Sequence, residues 1–516
     1  MKIYFILFSI YLTVTVTGEP LGYLKPTNSV SINNSPWGVQ AGENGKTDLF
    51  KQAGILGVKW TRLQASWPII ESKKGQYDFS SIDDSIDAAL ANGVTPFVCI
   101  SNGNQLYSGA IPRPDPDWRL IYGVKPAPPI LDKDALAAWL HFVDATISHA
   151  KNRVNYWEIW NEPNHYAYWG APPDANSYGN LVSVTAERIR ASQPNAVIIA
   201  GALAGLDPKF VAGFLSEDKL KNVNVVSFHN YAALPEARMY LAEDTWAVLK
   251  AHNPKLQLWQ GECGYPSASS TKDFRGVSPW GEIVQAKWLL RQAFVDTYFM
   301  RCSLSNYFKL YDGGDRTDRQ KRPKLKPIDS ILGYPAESSG RRVRGNGVNE
   351  KCLLSNPDLN PKPAFFAYKN LTAVFDGRYA PIEFASKPIV TVFNVGQFFG
   401  VGDNDDAYPS VPLVAGYRST KGNSLIAYWV PWQPQEYTPK PARINLRVLG
   451  VKFNAPVIVN LLDGSVQALT KQRYDNGVTE FLDLPLLDYP VIIVERSEVV
   501  LVSNRTTPPC DAIPTL

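Results

Sequence analysis

The chain has 516 residues, 45% hydrophobic and 19% charged, an ordinary globular composition with enough length for two or more domains. Its net charge of +4 is too small over that length to mark a binder of nucleic acid or of membrane surfaces. Five sparse cysteines, Cys99, Cys263, Cys302, Cys352 and Cys510, form no zinc or CxxC spacing, and no P-loop, GxGxxG or Ser-His-Asp order is present, so no metal and no cofactor is expected.

The first residues read as a secretion signal over 1–18: Lys2, an apolar run Ile3 to Leu12, small residues at Val16 and Gly18, and Glu19 as the first mature residue. That predicts an extracellular or periplasmic protein with no membrane span. Asn33, Asn370 and Asn504 stand in N-x-S/T sequons, and Pro36 weakens the first.

From Ser35 the sequence alternates strand-like and helix-like pieces. The predicted strands are Ser35–Gln40, Gly57–Leu63, Val94–Ile100, the stretch Val154–Pro163, Ala196–Leu203, Val223–Phe228, Leu256–Trp259 and Ser305–Leu310. Helices fall between them at Thr47–Ala53, after a cap at Ser81, around Leu136–Ile147, and over Tyr178–Ala191, Phe210–Leu215, Glu236–His252 and Ile283–Phe294, with Pro363–Phe375 closing the series. Eight such units predict a (β/α)8 TIM barrel over 19–378. After Asp376 short β-rich runs such as Ile389–Phe393, Ser424–Val430, Pro456–Asn460 and Tyr489–Val494 alternate with turns such as Asp463-Gly464 and Asn476-Gly477. Residues 379–516 are therefore read as an appended C-terminal β-sandwich, with room for a strand from before the barrel to join it.

The fourth predicted strand, VNYWEIWNEP, organises the rest. Its alternation puts Tyr156, Glu158 and Trp160 on one side and Trp157 and Ile159 on the other. It ends with Asn161 and a carboxylate, Glu162, and the seventh strand leads to a second carboxylate, Glu262. Parallel barrel strands gather their C-terminal ends around one mouth. Two carboxyls about 5 Å apart there can cleave a glycosidic bond with retention of configuration. Glu158 is expected to form an ion pair inside the barrel, since buried carboxylates are paired. Trp37, Trp67, Trp169 and Trp280 suit sugar stacking and core filling equally.

Trp160-Asn161-Glu162-Pro163 resembles the strand-four motif of the clan A retaining glycoside hydrolases. WEIWNEPN followed by Trp169, SFHNY at strand six, Glu-x-Gly at strand seven and KLYDGG at strand eight are most similar to glycoside hydrolase family 39. The resemblance implies Glu162 as general acid/base, Glu262 as nucleophile, and Asn161 as the residue before the acid/base. It matches Arg62, His229 and Tyr231 to strand-two and strand-six positions, where Arg and Tyr steady the nucleophile. At strand eight Tyr307 stands where a Trp floor is common, and Lys309 where an acidic residue is usual; both are carried as substrate-binding candidates with Trp37 and Trp169.

The segment 313–360 carries Arg316, Arg319, Lys321, Arg322, Lys324, Lys326, Arg341, Arg342 and Arg344. Lying after strand eight, it is expected over the mouth, where it either attracts a sulfated or uronate-bearing polysaccharide or forms a solvated lid. The expected partner is a poly- or oligosaccharide. A non-catalytic carbohydrate-binding barrel and a transglycosylase using the same two glutamates are the rival readings.

Overall fold

The computed structural model describes residues 18–41, 47–109, 125–215, 220, 222–232, 234–267, 281–311, 351–355, 359–394 and 411–505. The secretion signal before Gly18, Trp280, Cys510 and the nine basic residues named in 313–360 lie outside these residues. Among the described residues no helix is long and apolar enough to cross a membrane.

After a first strand, β1 (Pro20–Leu24), eight strands pair in parallel and close on themselves. They are β2 (Trp37–Val39), β3 (Trp60–Ser66), β4 (Thr95–Ser101), β5 (Tyr156–Ile159), β6 (Val197–Ala204), β7 (Val225–His229), β8 (Gln257–Cys263) and β9 (Leu304–Tyr307). β9 returns to β2 through Trp37–Ser305, Gly38–Asn306 and Val39–Tyr307, so the barrel has no open edge. Each strand falls within a few residues of its predicted position, and β8 runs on to include Glu262 itself.

The helices follow local chemistry. Asp132 accepts from Ala135 N to start Lys133–Ala150, Asp174 accepts from Ser177 N to start Ala175–Ser192, and Asp207 accepts from Phe210 N to start Pro208–Phe214. Ser81 is not a cap. The helix Ser80–Ala91 begins one residue earlier, behind Phe79, and no side chain caps it. The predicted helix from Glu236 to His252 is two pieces, Pro235–Arg238 and Leu241–His252.

Inside the barrel the side chains are layered. Near the strand starts Phe97, Ile199, Val225, Trp259 and Leu304 form an apolar plug, with Trp60, Tyr156 and Val197 packed against it. Trp60 stands edge-on to Tyr156 at 4.9 Å and lies 5.3 Å from Trp259. One layer nearer the C-terminal ends, polar groups replace apolar ones. In such barrels that is the half where chemistry is placed.

The chain divides into two compact units, Thr27–Phe365 and a second made of residues up to Pro26 together with Phe366–Leu516. The division falls inside the helix Pro363–Val374. In the second unit an eight-stranded sheet runs Tyr379–Pro381, Leu413–Ser419, Ser424–Trp429, Val491–Glu495, Pro456–Asn460, Ser465–Ala468, β1, Leu501–Val502. A four-stranded sheet runs Ile389–Asn394, Ala442–Leu449, Val478–Leu486, Gln472–Asp475. The Asn476-Gly477 turn closes the last hairpin with both φ positive, 48° and 81°, as a two-residue turn matched to strand twist requires.

β1 falls in the span 19–378 that the sequence reading gives to the barrel, but it is a sandwich strand. Tyr23 pairs with both Ser465 and Val502, which places β1 between two strands from the far end of the chain. Gly22 holds φ 121°, and a Cβ there would sit 2.6 Å from Val502 O. Gly22→Ala is expected to destabilise the sandwich by about 1–3 kcal/mol. Denaturant unfolding checks this, and unchanged stability would mean that β1 is not seated between those strands.

Candidate active site

The strand that carries the first carboxylate stops alternating at Ile159. Trp160 donates its N–H to Ile100 O at 2.8 Å but turns to φ 69°. Its ring therefore leaves the side occupied by Tyr156 and Glu158, contrary to the alternation read from sequence. It lies 5.7 Å from Trp139 on the helix Lys133–Ala150 and 5.3 Å from Trp169. Glu162 is also left-handed, at φ 49°, with its N–H donated to Ala202 O at 2.9 Å. Ala202 in turn sits at φ 43°, after Gly201 at φ 111°, where the β6–β7 register slips. Non-glycine residues in this region are sparse and gather at functional sites.

Arg62, on β3, ties the site together. Its Nε donates to Glu158 Oε2 at 2.7 Å, its Nη1 to Glu262 Oε2 at 3.0 Å, and its Nη2 to Asn161 Oδ1 at 2.8 Å. Ser227 Oγ donates to the other Glu158 oxygen at 2.7 Å, so this fully buried carboxylate is satisfied at both ends. Glu158 thus makes the expected internal ion pair. Tyr231 hydroxyl donates to Glu262 Oε1 at 2.5 Å, and His229 Nδ1 hydrogen-bonds Glu162 Oε1 at 2.8 Å. His229 Nε2 is buried with no hydrogen-bond partner.

One donor atom from each of Glu162, His229 and Glu262 lies within 4.8 Å of the other two. The Glu162 and Glu262 side chains are 12% and 14% exposed, so both reach the mouth and neither is sealed from solvent. The same three residues could in principle approach a cation. The Arg62 guanidinium and the Lys351 ammonium already face these carboxylates and would repel one.

Burial alone would raise the proton affinity of Glu262. The opposing field of His229, Arg62 and Lys351, with the Tyr231 hydrogen bond, outweighs it and holds the carboxyl below its ordinary value. Tyr231 moves the other way. Burial first, then the charge of Glu262, push its phenol well above its usual range, so it stays a donor. Glu262 is thereby kept as an anion gripped at both oxygens, while Glu162 faces an imidazole.

Residues 63–253 match the family model described as Glycosyl hydrolases family 39. Over those residues the chain is similar to family 39 of the glycoside hydrolases. A family 39 glycoside hydrolase from the gut symbiont Bacteroides cellulosilyticus WH2 superposes with a TM-score of 0.58 at 17% identity, covering 89% of this chain and 81% of that one. A monomeric beta-xylosidase from Caulobacter crescentus CB15 gives 0.53 at 17% identity over 92% and 97%. A GH30 endoxylanase from Clostridium papyrosolvens C71 gives 0.56 at 12% identity over 93% and 98%. At these identities the superpositions speak for the fold. A search of curated protein sequences finds no match.

The remaining candidate residues sit in packed surroundings. Trp37 and Trp169 are fully buried, and Trp169 packs edge-on against Trp160 and Tyr178. Trp67 is likewise buried, stacked on Tyr107 and bonded through its ring N–H to Glu71. Tyr307 is buried, with its hydroxyl donating to Lys351 O at 3.1 Å. Lys309 is buried with its ammonium 5.1 Å from the Phe308 ring.

Two contributors escaped the sequence reading. Ser227 has a signal in hindsight, an inward position on β7 two residues before His229. Lys351 has none, since it lies 89 positions beyond Glu262 with no motif around it. Because Arg62 balances a carboxylate with no solvent exposure, Arg62→Met is expected to cost about 3–5 kcal/mol of stability as well as turnover. Arg62→Lys keeps a charge but not the three-way fork, so it should recover stability better than rate. Chemical denaturation beside hydrolysis kinetics reads both, and a wild-type Arg62→Met would remove Arg62 from this role.

Proposed function

We propose that the protein hydrolyses O-glycosidic bonds of a poly- or oligosaccharide by double displacement, with Glu262 as nucleophile and Glu162 as general acid/base. The observation that carries this reading is the approach of the two carboxylates to within 4.8 Å across one mouth in unlike surroundings. Retaining enzymes hold their pair about 5–5.5 Å apart, while inverting ones leave room for a water at about 6.5–9.5 Å.

In the first step a Glu262 oxygen attacks the anomeric carbon and the glycosidic C–O bond breaks. Glu162 gives its proton to the departing oxygen. In the second step Glu162 takes a proton from water, the water oxygen bonds to the same carbon, and the ester bond to Glu262 breaks. Two inversions return the original configuration. With its Oδ1 engaged by Arg62, Asn161 has its NH2 end to offer a sugar 2-hydroxyl, a contact that strengthens in the transition state.

Two finer parts belong to the same reading. Secretion is supported by the apolar run Ile3–Leu12 behind Lys2 and the small residues before Glu19. An anionic polysaccharide, sulfated or uronate-bearing, is supported by the nine Lys and Arg residues named above between Gly313 and Asn360.

Glu162→Gln and Glu262→Gln should each lower turnover by about 10²–10⁴-fold or more while leaving the fold intact. Proton NMR of the first-released sugar should find the anomer of the substrate; near-wild-type rates in either variant, or the opposite anomer, would end the assignment. On a panel of matched neutral, uronic and sulfated polysaccharides the charged members should be preferred, with the preference fading as salt rises. Equal rates on uncharged xylans or galactans would separate the basic segment from substrate choice.

A further inference from the structure

Lys351 is the first described residue after the long segment that follows β9, and three observations fix it at the catalytic mouth. Its ammonium lies 4.1 Å from the centre of the Tyr231 ring. Its carbonyl accepts from Tyr307 hydroxyl at 3.1 Å and from Gln285 Nε2 at 3.1 Å. Beside it, Gly264 leaves space. A Cβ at Gly264 would come within 3.5 Å of Lys351 Cβ and 1.8 Å of Phe308 O. The backbone is pinned from two sides, and the side chain lies over the face of the ring whose hydroxyl grips Glu262 Oε1. The Phe308 ring meets Tyr231 edge-on at 6.2 Å, so the ring is bounded by an aromatic edge and a cation.

We propose that Lys351 is a positioning residue of the catalytic pair, holding the Tyr231 ring so that its hydroxyl stays on Glu262. The attraction of an ammonium for an aromatic face grows as both are withdrawn from water, and Lys351 is partly buried. The proposal takes Glu262 to be the nucleophile. Its consequence falls on that residue through the tyrosine, because a ring free to swing would leave Glu262 Oε1 without its donor.

The charged and titratable groups in play are few. Glu262 is faced by Arg62 from β3, Glu162 from the turn after β5, His229 and Tyr231 from β7 and the residues after it, and Lys351 itself. Lys351 is faced by Glu262 and Glu162 and by the thiols of Cys263 and Cys352; burial lowers its proton affinity and both glutamates oppose that.

The test needs no substrate. In the full-length protein, the infrared difference between wild type and Glu262→Gln isolates the Glu262 carboxyl band, whose titration is then followed in Lys351→Met, Lys351→Arg, Tyr231→Phe and the Met/Phe double variant. Lys351→Met should move the Glu262 midpoint upward, Lys351→Arg should hold it near wild type, and the double variant should move less than the sum of the single shifts, because both act through one hydrogen bond. Thermal unfolding accompanies each variant, and Lys351→Gln replaces Lys351→Met if that variant does not fold. An unmoved midpoint in a folded variant overturns the proposal. Strictly additive shifts do so too, since they would mean that the ammonium acts by charge alone. A protein without glycosidase activity would refute the proposed function and leave this titration to be read on its own terms.

Discussion

The site depends on one guanidinium. Arg62 enters from β3 and is shared among a buried structural carboxylate, a mouth carboxylate and an amide on the intervening turn. An arginine suits this because its planar fork offers five donors in fixed directions, where an ammonium would offer a point charge. Without it the buried Glu158 would lose its cationic partner, and Glu262 would lose the donor at Oε2. Structure and chemistry therefore share a side chain here, which couples the stability of the barrel to the geometry of its mouth.

Below that arginine the barrel is closed by aromatic rings, and above it the backbone gives up regular geometry. Trp160, Glu162 and Ala202 all adopt left-handed φ within one small region. None is glycine, so each conformation is held by its surroundings: by the Trp160 ring among Trp139 and Trp169, and by the bond from Glu162 N to Ala202 O. Gly201 allows the slip that presents this carbonyl, since a Cβ there would meet Ser227 O at 2.3 Å. The carboxylate is thus set on rigid elements, as preorganised catalysis requires.

Much of this could be read from residue order. The alternation of apolar runs with amphipathic ones gave the strands to within a few positions, because parallel strands buried on both faces and helices buried on one leave distinct periods. Glu162 and Glu262 were legible because they close two such runs. The alternation of β5 misplaced Trp160, since a period of two carries no warning of a left-handed residue. The two-sided aromatics also resisted reading. Trp37 and Trp169 are as plausible against a sugar as in a core, and only burial separates the cases. Lys351 was invisible for a further reason: its neighbours in space come from β7, β8 and β9, and no local pattern encodes a meeting over that range.

The pairing of β1 with Ser465–Ala468 and Leu501–Val502 carries a consequence for biosynthesis. All of Thr27–Phe365 leaves the ribosome before either partner of this strand exists. From Leu24 to Ser465 is 441 positions, which at cellular elongation rates is a wait of roughly 20–90 s. During that time PLGYL has neither of its partner strands, while the residues of the unit Thr27–Phe365 are already made. Completion of the second unit therefore waits for synthesis of Leu501–Val502.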